Sequence, residues 1–163
     1  MNGESAFLSL GSNLGKREQN LGRAVEALES VLQKLRCSSI YETRPLYVLE
    51  QPSFLNMVVM GQCLLPPMEL LQRALSIEIQ MGRDRANYVP KGPRVIDIDI
   101  LLFGGRIISE KELSIPHPHM KERQFVLIPL LELEPNLKDP ENGRPFSESL
   151  HVLDEQGVYI FSS

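Results

Sequence analysis

The chain has 163 residues, 42% of them apolar and 23% charged, which suits one ordinary globular domain with a sizeable core. Its formal charge of -4 argues against a general nucleic-acid binder, which is basic overall, but leaves room for a basic pocket. No run of about 18 apolar residues is present, so no membrane span is expected.

The start, Met1-Asn2-Gly3-Glu4-Ser5, lacks the basic and apolar stretches of a secretory leader, so a cytoplasmic protein is expected. Residues 5–10 read as a first strand, and Gly11-Ser12-Asn13-Leu14-Gly15 as a turn. Leu21, Ala24, Val25, Leu28, Val31, Leu32 and Leu35 form one stripe of an amphipathic helix. Lys34 and Arg36 then suit the negative pole of its dipole. Residues 37–43 read as a strand, 43–52 as a proline-containing loop and 53–64 as another strand. Pro66-Pro67 opens a second helix that runs to about Met81, where Gly82 stops it.

Residues 83–94 form a charged loop, and 95–103 an apolar strand interrupted by two aspartates. The remainder is proline-rich, with a short helix near residues 129–134. Cys37 and Cys63 match no metal-ligand spacing and read as two buried thiols, or as a disulfide if neighbouring strands align them. No repeat or linker is evident, so residues 1–163 read as one domain. The order β-α-β-β-α-β predicts an α+β fold of the ferredoxin-like kind, a two-layer sandwich with an antiparallel sheet and C-terminal additions.

The sharpest chemical signal is Val95-Ile96-Asp97-Ile98-Asp99-Ile100-Leu101-Leu102-Phe103. Residues two apart on a strand share a face, so Asp97 and Asp99 project together. Two neighbouring carboxylates repel and lose hydration unless something positive offsets them, and magnesium favours such oxygens. Alternatively, the pattern marks a half-buried strand with its acidic face in water. Gly82-Arg83-Asp84-Arg85 and Gly92-Pro93-Arg94 place arginines just upstream. Their planar forks match phosphate oxygens, although such a run is also a common solvated loop. Carboxylates for a metal beside arginines for phosphate are the parts that phosphoryl transfer needs.

Glu78 shares the apolar stripe of the second helix with Ala74 and Met81, so it approaches the core beside the charged loop. It reads either as an acceptor facing a ligand or as a structural partner of Arg83 or Arg85. In Ile115-Pro116-His117-Pro118-His119 two histidines stand two apart without a zinc pattern, which favours a hydrogen-bonding or phosphate-contacting His117. Lys121 and Arg123 add basic groups directly after it. The glycine turn at 11–15 is not a Walker loop, and Asn13 reads as a buttress for a pocket.

Taken in order, these segments resemble the 6-hydroxymethyl-7,8-dihydropterin pyrophosphokinase family over nearly the whole chain. The similarity runs through Leu10-Gly11-Ser12-Asn13-Leu14-Gly15, Ser39-Ile40-Tyr41-Glu42-Thr43, Gln51-Pro52-Ser53-Phe54-Leu55-Asn56, Ile77-Glu78 and Gly82-Arg83. Its most specific stretch is the one from Gly92 through Asp97 and Asp99 to Gly104, and it closes on Ile115 to Leu127. The resemblance implies transfer of a diphosphate from ATP to the pterin hydroxymethyl oxygen, with AMP released. It implies two magnesium ions on Asp97 and Asp99, with Arg83 and Arg94 stabilising the transferring group. By the same resemblance, Glu78, Arg85, Ile100, Ser114, His117 and Arg123 contact the nucleotide, while Thr43, Leu46, Phe54, Asn56 and Phe125 form the pterin pocket. Phe54 and Phe125 would sandwich the flat ring, with Asn56 and the Thr43 backbone on its polar edge.

The resemblance further implies that loops 44–53 and 83–94 close over the substrates. It carries an expectation of a monomer acting on small molecules, with no nucleic-acid or membrane partner. The chain departs from the family pattern at Arg44, Leu75, Glu112 and Pro118, in a longer second loop and in lacking tryptophan.

Overall fold

The computed structural model describes residues 3–43, 53–82 and 93–162. Four long or paired segments make the sheet that positions everything else. They are β1 (Glu4–Ser12), the interrupted pair β2 (Leu32–Cys37) and β3 (Tyr41–Thr43), β4 (Phe54–Cys63) and β5 (Asp97–Phe103). Helices α1 (Arg17–Leu28) and α2 (Pro67–Gln80) connect them. The chain then forms a small hairpin of β6 (Ile108–Ser109) and β7 (Ser114–Ile115), followed by α3 (Gln124–Leu133), α4 (Phe146–His151) and β8 (Val158–Ile160). The strand order is β5-β1-β4-β3-β8, with β2 also on β4, and every pairing is antiparallel. No helix among the described residues is long and apolar enough to cross a membrane.

Alternation along β1, β4 and β5 builds two cores. Ala6, Leu8, Leu10, Leu55, Met57, Val59, Ile98 and Ile100 share one cluster with Leu21, Ala24 and Leu28 of α1 and Leu70, Ala74 and Ile77 of α2. Phe7, Val58, Met60, Leu101 and Leu102 share another with Val126, Leu127, Leu130 and Leu133 of α3 and Phe146 of α4. The C-terminal additions thus cover the sheet face opposite α1 and α2, giving a third layer that the two-layer expectation lacked. A bulge in β5 assists: Phe7 pairs with Leu102 and Leu8 with Ile100, leaving Leu101 without an opposite residue.

The second helix and the strand at 53–64 fall within a residue or two of their expected bounds, and Gly82 takes φ 108, the left-handed stop anticipated there. The first helix differs. It ends at Leu28, and Leu32 and Leu35 lie in β2 instead. Their helical spacing is coincidental, because pairing with β4 offers Leu32 a buried place opposite Cys63. Lys34, expected near a helix pole, takes φ 54 at the irregularity between Gln33 and Arg36. Arg36 donates to the Leu133 carbonyl at the end of α3 (3.0 Å). The short C-terminal helix begins earlier than expected, at Gln124. Cys37 is exposed rather than buried, Cys63 is buried, and both are free thiols.

Candidate active site

The register aligns the chemistry into rows. Asp97 of β5 lies opposite Gly11 of β1, Gly11 opposite Asn56 of β4, and Asn56 opposite Tyr41 of β3. One step along, Asp99 faces Ser9, and on the other side Thr43 faces Phe54. By alternation these residues share the sheet face with Phe7, Val58 and Leu101, the face covered by α3. At this end of the face the apolar cluster gives way to polar groups. Asp97 and Asp99 are half-buried, about 7 Å apart along the strand, between the buried Ile96, Ile98 and Ile100. Strand alternation therefore explains the acidic pair, as the sequence predicts.

Arg94 reaches the same place from the loop end. Its Nη1 donates to both oxygens of Asp97, at 3.0 Å to Oδ1 and 2.9 Å to Oδ2. Its backbone is clamped by Asn13, whose Oδ1 accepts from Arg94 N–H (2.6 Å) and whose N–H donates to the Arg94 carbonyl (3.0 Å). Asn13 is fully buried, so the buttress expected of it is directed at this arginine. Asn20 of α1 in turn donates to Ser12 Oγ (3.2 Å) and the Leu14 carbonyl (2.9 Å), fixing the turn that carries Asn13.

His117 enters from the opposite wall. Its backbone N–H donates to the carbonyl of the bulged Leu101 (3.0 Å). Burial pushes the imidazole pKa down to about 4, aided by the charges of Arg123 and His119 and opposed by Asp97. At neutral pH the ring is uncharged. Its Nδ1 accepts from the His119 backbone N–H (3.1 Å), which leaves the proton on Nε2 as a donor. Arg123 precedes α3 and sets its guanidinium 5.7 Å from the centre of the Phe125 ring.

The floor of the site is open because residue 11 is glycine. A Cβ there would stand 2.7 Å from Asn56 Nδ2 and 3.6 Å from Phe54 Cδ1, so only glycine lets those side chains lie across β1. Two buried acceptors face no partner among the described residues, Thr43 Oγ1 and Asn56 Oδ1. Buried polar atoms are nearly always paired, so this end of the sheet is shaped for a polar ligand edge.

Other expected residues take different positions. Glu78 is buried on α2, where its Oε2 accepts from the Ile98 N–H (2.7 Å) at the outer edge of β5. This bond gives Glu78 a structural role at β5, while Arg83 and Arg85, its other expected partners, lie outside the described residues. Ile100 is buried in the cluster shared with α1 and α2, so its side chain points away from the carboxylates. Ser114 is half-buried at the start of β7, just before the His117 segment. Arg83, Arg85 and Leu46 lie outside the described residues, as do nearly all of the two loops expected to close. Gly11, expected in a turn, lies instead in β1, and only the register between strands puts it beside Asp97.

Glu78→Ala is expected to lower stability by about 1–3 kcal/mol, because a buried N–H loses its acceptor. Glu78→Gln, which retains a carbonyl, should lose less in a denaturant melt. Unchanged stability with a raised KM for ATP would instead favour the ligand-facing reading.

Comparison with known proteins shows the family. Residues 7–135 match the family model for 7,8-dihydro-6-hydroxymethylpterin-pyrophosphokinase (HPPK). The 2-amino-4-hydroxy-6-hydroxymethyldihydropteridine pyrophosphokinase of Aquifex aeolicus is 39% identical over 145 residues, covering 88% of this chain and 89% of the relative. The folic acid synthesis protein fol1 of Schizosaccharomyces pombe is 41% identical over 160 residues, which are 97% of this chain but 22% of that longer protein. A crystal structure of wild-type Plasmodium falciparum HPPK-DHPS shares the fold, with TM-score 0.74 at 18% identity, over 93% of this chain and 45% of that one. The chain belongs to the 7,8-dihydro-6-hydroxymethylpterin-pyrophosphokinase family.

Proposed function

We propose that the chain transfers a diphosphate group from ATP to the hydroxymethyl oxygen of 6-hydroxymethyl-7,8-dihydropterin and releases AMP. The observation that carries this reading is the row Asp97–Gly11–Asn56, which sets an anionic, arginine-paired centre beside an open floor with unsatisfied acceptors. Asn56 Oδ1 and Thr43 Oγ1 would receive the N–H groups on the pterin edge, with Phe54 and Phe125 on its faces and Leu46 contributing from its loop. Arg94 would leave Asp97 for the transferring phosphate, and Arg83 would join it. On the nucleotide side, neutral His117 offers Nε2–H to an oxygen without bringing charge, and Arg123 offers a fork already stacked on Phe125. Arg85 and Ser114 are assigned to the nucleotide on sequence resemblance. The Ile100 side chain faces the other core, so its backbone would make such a contact, and Glu78 is assigned to the nucleotide on sequence resemblance.

Two magnesium ions are assigned to Asp97 and Asp99. The donor set fits: two carboxylates on one strand face suit a hard cation that completes its shell with phosphate oxygens and water. No cluster of three or more His, Cys, Asp or Glu ligands exists among the described residues. When bound, magnesium would neutralise phosphate charge. Asp97 already accepts a cationic group, the Arg94 fork, in this structure.

We also read the core as ferredoxin-like. With β2 and β3 taken as one interrupted strand, β1-α1-β2/β3-β4-α2-β5 follows the βαββαβ order. A single domain and a monomeric, cytoplasmic enzyme complete the proposal, the last supported by the two free thiols. The test is direct: purified protein, ATP, magnesium and the pterin alcohol should yield AMP and a pterin diphosphate in equal amounts. ADP or free phosphate as the product would point to a different phosphotransferase or hydrolase on the same carboxylates.

A further inference from the structure

Residues beyond the stretch matched by the family model grip both walls of the site. One wall is the start of α3, which carries Arg123 and Phe125. The first N–H groups of a helix have no partner within it, and Arg123 at the cap position supplies no side-chain acceptor. Gln156 supplies it from a distance. Its Oε1 accepts from Gln124 N–H (2.9 Å), its own N–H donates to Gln124 Oε1 (2.8 Å), and its Nε2 donates to the Glu122 carbonyl (2.9 Å). Three bonds from one residue thus bracket Arg123 on both sides.

The other wall is β3, which carries Thr43. Val158 pairs with Thr43, Tyr159 with Glu42 and Ile160 with Tyr41, and the Phe161 N–H donates to the Ile40 carbonyl (2.8 Å). A polar relay strengthens the join. Tyr159 Oη donates to Glu42 Oε1 (3.2 Å), while Arg17 Nη1 donates to Glu42 Oε2 and to the Ser53 carbonyl, each at 2.7 Å. Ser53 directly precedes Phe54, so the relay reaches β4 too. Only Gly157 separates the two grips, and its φ of 73 makes the sharp reversal between them.

We propose that Gln156 is a positioning residue for substrate binding: with Gly157 and Val158 it forms a strap that sets the separation between the Arg123–Phe125 wall and the Thr43–Phe54 wall. This rests on the pterin pocket proposed above. A flat ring held between opposing walls is sensitive to their spacing, whereas the acidic centre on β5 lies away from both grips. The strap therefore acts on binding, of the pterin through Phe125 and Thr43 and of the nucleotide through Arg123, and leaves the transfer step alone.

The experiment is steady-state kinetics on the full chain with both substrates varied. Gln156→Ala should raise the KM for the pterin about tenfold with kcat within about twofold of wild type. Gln156→Glu, which keeps the acceptor for Gln124 N–H, should recover at least half of that loss on a logarithmic scale. A pterin KM unchanged in Gln156→Ala, or a loss seen only as a lower melting temperature, overturns the strap. Should that variant fail to fold, Gln124→Ala carries the same expectation and the same contrary outcome, since it removes only the acceptor for Gln156 N–H. Failure of the underlying reading is separately visible, because wild-type protein would then make no AMP from the pterin at all.

Discussion

Asp99→Ala or Asp97→Ala should lower turnover by about a thousandfold or more while leaving the fold intact. The size follows from the role: a metal at transferring phosphates is worth several kcal/mol, and each 1.4 kcal/mol or so is tenfold in rate. The survival of the fold follows from position. Both carboxylates are partly exposed, and the strand is anchored by Ile98 and Ile100 on the other side and by pairing with β1. The Asp97–Arg94 pair is mostly buried, so Asp97→Ala should cost some stability beyond Asp99→Ala, and the melt reads that cost. The measurement is the initial rate of AMP formation at saturating magnesium, beside a thermal melt and a titration of a non-hydrolysable ATP analogue with and without magnesium. In both variants the magnesium dependence of analogue binding should weaken. Near-wild-type turnover in either variant would remove the metal assignment.

Arg94→Ala should reduce kcat by about a hundredfold and alter the KM for ATP only slightly. Removing one preorganised donor to developing charge typically costs that much. Arg94 is preorganised here at its backbone, through two hydrogen bonds with Asn13, while its head group rests on Asp97. Truncating the side chain keeps the Asn13 clamp, so the loop end stays placed and only the fork is lost. An interaction made mainly in the transition state lowers kcat and kcat/KM together, whereas uniform binding appears in KM alone. An effect confined to KM would return Arg94 to ordinary nucleotide binding. Arg94→Lys should recover part of the rate, since the charge remains but the planar fork does not.

The pair Asp97 and Asp99 was legible in the sequence because strand alternation is a local property. So was the second helix, whose proline start and glycine stop are local too. The first helix was read too long, since Leu32 and Leu35 continue the period of Leu21 and Leu28 by chance. Pairing with β4, a contact made across the sheet, decided the matter against local pattern. Phe54, Asn56 and Phe125 entered through resemblance; the register then aligned Asn56 with Gly11 and Asp97, a relation no spacing along the chain reveals. Gln156 gave no signal, because a glutamine that caps a helix 32 residues away looks like any surface glutamine. Arg17, between Glu42 and Ser53, is silent for the same reason.

The bulge at Leu101 has an odd arithmetic. Remove that residue and straight alternation still sends Asp97, Asp99 and Leu102 to one side and Ile98, Ile100 and Phe103 to the other, the same sides they hold now. The extra residue is therefore surplus to the inside-outside code of the strand. What it adds is a spare carbonyl on the sheet's edge, and His117 hangs from that carbonyl. A chain one residue shorter would keep its hydrophobic interior and its acidic pair, and would lose the peg on which the opposing wall of the cleft is hung.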